Sequence, residues 1–435
     1  MKIRSIFLFG ISLLLVINSL SVAAIENRDF ETKKSGTTFE DDVIYMINQI
    51  DEDLVYDYLE KLVSFGPRYT GTDNCKQAGD YIFSVFENLN LDTEFHEWKF
   101  RRFKSRNVVG TLKGYDTSSD AIIIISAHYD TVKDSPGAND DGSGVAAVLA
   151  IAELLSNYSL RHDVCFIAFS GEEVGTYGSY LYAKEAYESK ENIYAVLNVD
   201  IIGGAQNEYG GGIIRFSHME RSSWIVEFSS NISHKYSDLI ELRIEDIPNY
   251  RGADNQAFVD YGYDGVWIAE HDPGIGVHSP NDNLTNVNLT YLAKVTKLML
   301  AVLAEMANKP IDVQVIIKTP YEGRGYFFNR SIIPLGLGKL YFWGLRGTTL
   351  LFGRRVVASC EVISEEDIKF VIFCIDDEFI FWDNTPPYEW KIQGKYIPLL
   401  GRHKLQVYAY TYSGKRATDE MDIIAFTLSS QYGRF

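Results

Sequence analysis

The chain has 435 residues, of which 46% are hydrophobic, and a formal net charge of −18. This length predicts two domains, and the acidic balance argues against nucleic acid or an anionic membrane surface as a partner. Four cysteines are too few for a disulfide scaffold; we expect Cys165 to be a buried apolar residue, whereas Cys360 and Cys374 could pair.

Residues 1–24 have the features of a secretory signal peptide. Lys2 and Arg4 precede an apolar run, which ends in the small residues Val22-Ala23-Ala24. Cleavage after Ala24 would remove two positive charges and change the net charge from −18 to −20. We therefore expect a secreted or extracytoplasmic protein; an uncleaved membrane anchor is the alternative. No later segment is apolar for long enough to span a bilayer, and residues 25–40 are expected to be a flexible lead-in.

Residues 41–309 alternate between helical and strand patterns. The helices are predicted over residues 41–65, 75–89, 141–158, 176–189, 222–236, 253–262 and 288–308, and the strands over 107–114, 121–130, 163–173, 193–202, 211–217 and 264–270. This alternation predicts a three-layer α/β sandwich with a mostly parallel central sheet. In such sheets, binding sites form at the carboxyl ends of the strands.

A short basic run interrupts this acidic part of the chain. It comprises Lys99, Arg101, Arg102, Lys104 and Arg106. Its simplest interpretation is the solvated edge of a strand pair, and a binding patch is the alternative.

Residues 310–435 lack any helical pattern. Short alternating strands are separated by Gly, Pro, Asn and Asp, which predicts a β-sandwich of immunoglobulin-like size. The Cys…Trp…Cys core of antibody domains is absent from this sequence.

Acids and imidazoles follow several of the predicted strands. They are His128, Asp130, Asp140, Glu172, Glu173, Asp200 and His278. Each has an ordinary alternative: a hydrogen-bonded histidine, a helix cap at Asn139–Ser143, or a solvated Glu-Glu loop, and His271 competes with His278. Their repeated location at strand ends instead indicates one cleft that holds cations, because unpaired buried acids are costly.

The stretches AHYDTV, PGANDDGSGVAA, FSGEEVGTYGS, LNVDIIGG and VHSPNDN resemble those of the co-catalytic di-zinc aminopeptidases, including bacterial leucyl aminopeptidase, aminopeptidase Y and glutamate carboxypeptidase relatives. The resemblance covers roughly residues 50–308 and implies the zinc exopeptidase fold for residues 41–309. The C-terminal part is similar to immunoglobulin-like modules of exported microbial hydrolases.

The resemblance also implies roles for individual residues. His128 and Asp200 would bind one Zn²⁺, Glu173 and His278 a second, and Asp140 would bridge the two ions. Glu172 would be the general base for a metal-bridging hydroxide, and Asp130 the carboxylate behind His128. Peptides with a free N-terminus would be the substrates, and relatives have a cis peptide bond after the bridging aspartate, here Asp140–Asp141.

Two departures from the family pattern concern the residues around this centre. Ala253-Asp254-Asn255 stands where relatives often have Ser-Asp-His, and Val277 replaces a tyrosine of some members. Tyr250 is then the candidate oxyanion donor, although tyrosines often only pack. Two rival functions remain: a single-zinc cyclotransferase like the glutaminyl cyclases, and a non-catalytic surface binding protein of the same fold.

Overall fold

A computed structural model describes residues 38–117, 119–189, 191–250, 252–272, 274–311, 313–321, 323–334, 349–353, 356–364, 366–392, 399–412 and 414–427. The predicted signal segment and almost all of the lead-in lie outside these residues. Within them, no helix has the length and apolar character needed to cross a membrane.

An eight-stranded mixed sheet forms the first part of the fold. Its strands are β1 (Asp92–Phe100), β2 (Phe103–Leu112), β3 (Ala121–His128), β4 (Asp163–Phe169), β5 (Asn192–Val199), β6 (Ile213–His218), β7 (Arg243–Pro248) and β8 (Gly265–Glu270), in the spatial order β1-β2-β4-β3-β5-β8-β6-β7. The central strands β4, β3, β5 and β8 are parallel, as predicted. β1 and β2 form an antiparallel hairpin at one edge, and β6 joins β8 in antiparallel fashion.

Helices lie on both faces of this sheet. They are α1 (Phe39–Gln49), α2 (Glu52–Val63), α3 (Asp73–Asn88), α4 (Gly142–Leu155), α5 (Tyr177–Ser189), α6 (Ser223–Lys235), α7 (Ser237–Ile240), α8 (Asn255–Asp260) and α9 (Leu289–Asn308). Ile124 packs with Ala183 of α5 and Phe258 of α8. Its neighbours Ile123 and Ile125 alternate to the opposite face, where α4 and α9 contact β3. The site therefore lies above a core that is packed on both sides.

The single helix predicted over residues 41–65 is wrong, because the chain forms α1 and α2 with a break at Ile50-Asp51. Asp51 has extended backbone angles, and its carboxylate accepts a hydrogen bond from Leu54 N at 2.8 Å. This N-cap starts a new helix even though the apolar spacing continues across the break. Strand β7 and the short helix α7 were not predicted either.

Two β-sheets follow α9. Their strands are β9 (Gln314–Thr319), β10 (Arg324–Phe327), β11 (Arg330–Pro334), β12 (Thr349–Phe352), β13 (Val357–Ile363), β14 (Ile368–Ile375), β15 (Glu378–Asp383), β16 (Tyr388–Lys391), β17 (Leu400–Thr411) and β18 (Arg416–Phe426). One sheet has the order β11-β10-β12-β18-β17-β14-β15, and the other β16-β13-β9. Residues of both sheets, including Phe373, Val407 and Trp390, share one core.

The C-terminal region is thus all-β, as predicted, whereas its immunoglobulin-like character stays a prediction. The larger sheet contains two parallel pairs, β10 with β12 and β12 with β18. Cys360 and Cys374 are both free and buried, so the disulfide considered from the sequence is not formed. Cys165 is buried in β4, as expected.

Candidate metal centre

The candidate site lies at the carboxyl ends of the four central parallel strands. His128 is the last residue of β3, and Asp200 directly follows β5. The loop after β4 bears Glu172 and Glu173, and the loop after β8 bears His278. Parallel strands end at the same edge of a sheet, so these separate segments converge there.

Asp140 lies at the centre of this edge. Its Oδ1 is 3.2 Å from His128 Nε2, and its Oδ2 is 2.9 Å from His278 Nε2. Burial acts to raise the pKa of Asp140, but hydrogen bonds and charge from the two imidazoles hold it below its ordinary value. The Asp140–Asp141 peptide bond is cis, as the resemblance implies.

The surrounding side chains form two groups of metal-ligand type. One comprises His128, Asp140 and Asp200, and the other Asp140, Glu173 and His278. In each group the ligand atoms lie within 4.8 Å of one another. His128 Nε2 is 3.5 Å from Asp200 Oδ1, and His278 Nε2 is 3.4 Å from Glu173 Oε2. Asp140 is the member that the two groups share.

The residues present fit zinc ions. Asp140 Oδ2 and Asp200 Oδ1 are buried, and the polar atoms that face them are imidazole nitrogens: His278 Nε2 lies 2.9 Å from the first and His128 Nε2 lies 3.5 Å from the second. Several buried carboxylates close to one another are unfavourable without enough positive charge, and a bound cation would compensate them. Imidazole nitrogen together with carboxylate oxygen is a ligand set that suits zinc.

The ring of His128 is oriented by the backbone of Asp130. His128 Nδ1 lies 3.1 Å from the Asp130 carbonyl oxygen and 3.7 Å from its carboxylate. An Nδ1–H that donates to the carbonyl leaves the lone pair of Nε2 facing Asp140 and Asp200, as a metal ligand requires. The structure therefore shows the carbonyl closer to this ring than the carboxylate expected from the sequence.

The Asp130 carboxylate instead fixes the loop of adjacent glutamates. It accepts hydrogen bonds from the backbone N–H of Glu172 at 3.2 Å and of Glu173 at 3.3 Å, and from Thr70 Oγ1 at 2.6 Å. Burial raises the pKa of Glu172 well above its ordinary value and that of Glu173 to about 7. In the absence of a cation, the protonated forms of both acids of this loop are therefore favoured.

Asp141 binds three chain segments at once. Its Oδ1 accepts hydrogen bonds from Gly144 N at 2.9 Å and from Ile201 N at 3.1 Å, and its Oδ2 from His128 N at 3.2 Å. Asp141 is the N-cap of α4, so the helix-cap interpretation is right for this residue, while Asp140 next to it faces the site.

Sequence reasoning did not assign two further acids around Asn139. Asp282 accepts hydrogen bonds from Asn139 N at 2.7 Å and Asp140 N at 3.1 Å, and so connects the His278 loop to Asp140. Glu270 accepts both from the Asn139 side-chain amide and from Gly204 N. Glu270 ends an apolar strand, the same signal that points to Asp200. For Asp282, only its place in the quoted VHSPNDN stretch could have indicated a role.

Tyr250 and His271 lie outside the two ligand groups. The Tyr250 ring is 43% exposed and stacks on Trp267, with ring centroids 5.1 Å apart. His271 Nδ1 is 2.8 Å from Glu245 Oε2. The structure therefore brings His278, and not His271, to Asp140.

Comparisons with known proteins agree with this geometry. A probable zinc metalloprotease of Pyricularia oryzae is 28% identical over 263 residues, which are 48% of this chain and 51% of that protein. Aminopeptidase YwaD of Bacillus subtilis is 27% identical over 230 residues, 50% of this chain and 48% of that protein. The chain therefore spans about half the length of these curated relatives.

Solved structures show the same fold. The LapA aminopeptidase of Legionella pneumophila superposes with a TM-score of 0.56 at 21% identity, over 65% of this chain and 80% of that one. A glutaminyl cyclase of Bacteroides thetaiotaomicron superposes with a TM-score of 0.50 at 21% identity, over 59% of this chain and 98% of that one.

A family model matches the part of the chain that contains both ligand groups and the loops between them. It describes peptidase family M28 and matches residues 107–303. These residues of the chain are therefore similar to the peptidase domain of family M28.

Proposed function

We propose that the protein is a zinc-dependent aminopeptidase that removes N-terminal residues from peptides with two Zn²⁺ per chain. The observation that carries this proposal is the position of Asp140 between two ligand groups, with one of its oxygens beside each imidazole. The aminopeptidases among the relatives support the choice of substrate.

In this proposal the two groups divide the ligands. His128 and Asp200 would hold one ion, Glu173 and His278 would hold the other, and Asp140 would contribute to both. Bound zinc would lower the pKa of a coordinated water and polarise the carbonyl of the scissile peptide bond.

Glu172 is the proposed general base. Its raised pKa lets its carboxylate accept a proton from the attacking water and return that proton to the leaving amine. The hydrogen bond from Glu172 N to Asp130 holds the backbone of this loop, from which the Glu172 side chain extends. Asp130 is therefore a positioning residue for the glutamates as well as for the His128 ring.

Tyr250 is our candidate hydrogen-bond donor to the oxyanion. Stacking on Trp267 holds its ring, and its hydroxyl has no hydrogen-bond partner in the described part of the chain. A preorganised donor of this kind would stabilise charge as it develops on the carbonyl oxygen.

A glutaminyl cyclase-like cyclotransferase is the second candidate, favoured by the fold match to such an enzyme. The second group of metal-ligand type, which comprises Asp140, Glu173 and His278, supports the di-zinc peptidase over this candidate. The two groups of metal-ligand type support an enzyme over a non-catalytic binding protein. Export through residues 1–24 also belongs to the proposal, and N-terminal sequencing of the mature protein would test it.

Hydrolysis of aminoacyl-nitroanilides tests the proposal directly. We expect turnover that chelator abolishes and zinc restores, with two Zn²⁺ per chain by elemental analysis. One Zn²⁺ per chain together with cyclisation of N-terminal glutamine would favour the cyclotransferase. Absence of both activities from the fully metallated protein would refute the enzyme assignments.

A further inference from the structure

The β1–β2 hairpin projects past the edge of the sheet on which the site lies. β2 pairs with β4 only from Val108 to Leu112, whereas β2 begins at Phe103. Five residue steps along a strand span roughly 16 Å, so the tip of the hairpin extends that far beyond its last pairing with β4. β4 leads directly into the loop of Glu172 and Glu173, so the tip stands beside that loop.

Aromatic packing fixes the hairpin against the glutamate loop. Trp98 lies against Gly171, where an added Cβ would be 2.6 Å from the indole ring. The rings of Phe100 and Phe103 have centroids 4.7 and 6.1 Å from that of Tyr177. Ser105 Oγ and Ser170 Oγ share a hydrogen bond at 2.6 Å. The position of the tip is therefore set relative to the acids of the site.

Three exposed cations surround this tip, and we name them the cationic rim: Arg101, Arg102 and Lys133. The guanidinium groups of Arg101 and Arg102 lie 5.5 and 5.0 Å from the ring centres of Phe100 and Phe103. Lys133 Nζ lies 5.1 Å from the ring centre of Tyr69, which itself packs edge-on against Phe103.

One hydrogen bond connects the segment that bears Lys133 of the cationic rim to Glu173. Val132, which precedes Lys133, donates its backbone N–H to Glu173 Oε1 at 3.1 Å. None of the three rim cations forms an ion pair with a carboxylate among the described residues, although Asp134 follows Lys133 in the chain. By contrast, Lys104 on the same hairpin is paired with Glu97 at 3.6 Å.

Unpaired cations held on aromatic rings beside an acidic cleft are suited to bind carboxylates. Glu172 protonates the leaving amine in the proposed mechanism, so the peptide that follows the cleaved bond lies on the Glu172 side, where the tip stands. Each extended residue spans about 3.3–3.6 Å, which lets the first few residues after the bond reach the rim.

We infer that the cationic rim selects peptides that bear carboxylates within the first few residues after the cleaved bond. This inference rests on the proposed aminopeptidase function and adds a substrate class to it. The carboxylate can belong to an acidic side chain or to the C-terminus of a short peptide.

Matched peptides test the inference. Leu-Ala-Asp-Asp-amide offers side-chain carboxylates, and Leu-Ala-Ala as the free acid offers a terminal carboxylate. Leu-Ala-Ala-Ala-amide has no carboxylate and serves as the neutral reference. We expect kcat/KM for at least one of the first two to exceed that of the neutral amide by about five- to tenfold at low salt, since exposed ion pairs are individually weak. In 0.5 M salt the preference should disappear.

Charge reversal then locates the effect. In R101E/R102E/K133E the preference should be lost, while hydrolysis of leucyl-nitroanilide and of the neutral amide stays within twofold of wild type. Lys369→Glu is the matched control, because Lys369 is an exposed lysine 5.7 Å from the ring centre of Phe370 on strand β14. Equal kcat/KM for all three peptides in the wild type, or equal loss on all substrates in the triple variant, would overturn the inference.

Binding of the same peptides to Glu172→Gln decides the matter independently of turnover. Anisotropy of labelled peptides should show tighter binding of the acidic peptides, and charge reversal in this background should remove the difference. If nitroanilide turnover is absent but this binding preference is present, the proposed aminopeptidase reaction is refuted, whereas binding of carboxylates by the cationic rim is supported. If the binding preference is absent while nitroanilides are cleaved, the role of the cationic rim is refuted and the proposed aminopeptidase reaction is supported.

Discussion

Glu172 and Glu173 are neighbours in the chain, but their side chains have different partners. Glu173 Oε1 accepts the N–H of Val132, and its Oε2 faces His278. The Glu172 carboxylate accepts no hydrogen bond from the described residues and remains available to a water molecule. The two adjacent carboxylates therefore differ in their surroundings, because that of Glu173 accepts a hydrogen bond and that of Glu172 accepts none from the described residues.

This difference predicts different defects in two matched variants. Glu172→Gln should lower kcat by about 10²- to 10⁴-fold while zinc content stays near two per chain, because it removes proton transfer and no ligand. Glu173→Gln should lower zinc content. Elemental analysis combined with nitroanilide kinetics measures both. Unchanged turnover in Glu172→Gln would remove the role assigned to it.

At the scale of the elements, the strand ends could be predicted, but the contacts between the loops could not. The alternation of strands and helices in the sequence is enough to place His128 and Asp200 at one edge of the sheet. The hydrogen bonds of Asp282 to Asn139 and Asp140 cross 142 and more residues of sequence, and no local pattern reports them. For the same reason, the choice of His278 over His271 came from resemblance and not from periodicity.

The packing of the hairpin on the glutamate loop predicts a large effect for Gly171→Ala. Gly171 has φ +91°, and a Cβ there would meet Trp98 at 2.6 Å. Gly401 has φ +104° with nothing within 4 Å of an added Cβ, so Gly401→Ala has the backbone strain without the clash. Gly171→Ala should cost about 1–3 kcal/mol more unfolding free energy than Gly401→Ala, and should weaken zinc binding.

Chemical denaturation and zinc competition would measure these two effects. Equal destabilisation by both substitutions would show that Trp98 does not restrain the loop. Retention of full zinc affinity in Gly171→Ala would show that the packing of the hairpin does not affect zinc binding at the metal centre.

At the scale of the whole molecule, a buried charge cluster joins the α/β part to the C-terminal strands. Arg221 Nε is 2.6 Å from Asp264 Oδ1, just before β8, and its Nη2 lies 4.0 Å from Asp419 Oδ2 on β18. Asp419 also accepts the N–H of Ile317 on β9 at 2.7 Å. Removal of Arg221 would leave two buried carboxylates without their shared cation.

Arg221→Ala should therefore destabilise the protein by about 3–5 kcal/mol, as expected when one partner of a buried ion pair is removed. Arg215→Ala is the control, because Arg215 is 40% exposed in its pair with Glu245 and should cost at most about 1 kcal/mol. Denaturant unfolding monitored by tryptophan fluorescence measures both. A loss in Arg221→Ala no larger than in the control would contradict a structural role for this cluster.

The stability of the metal-free protein should fall as pH rises from about 5 to 9. Burial raises the pKa of Glu270 to about 8 and that of Asp254 to about 7, and the hydrogen bond to Asp140 raises the pKa of His278 to about 9. The unfolded carboxyls ionise near pH 4 and the unfolded imidazole near 6.5. Above those values the folded chain binds more protons than the unfolded chain, so higher pH favours unfolding.

Thermal unfolding with chelator at pH 6, 7.5 and 9 measures this dependence. We expect Tm to decrease across the series, and to change less for the zinc-loaded protein, in which ionised ligands are matched by cations. A constant or rising Tm of the chelated protein would contradict these pKa shifts.

The three hydrogen bonds accepted by Asp141 affect how metal ions can bind to and dissociate from the folded protein. A single side-chain acceptor secures the end of β3, the turn after β5 and the start of α4, so their spacing does not depend on an occupant. We therefore expect metal ions to bind and dissociate by ligand exchange, without refolding of the chain. Zinc could accordingly be replaced by cobalt or manganese in the folded protein, which opens the centre to optical and magnetic spectroscopy.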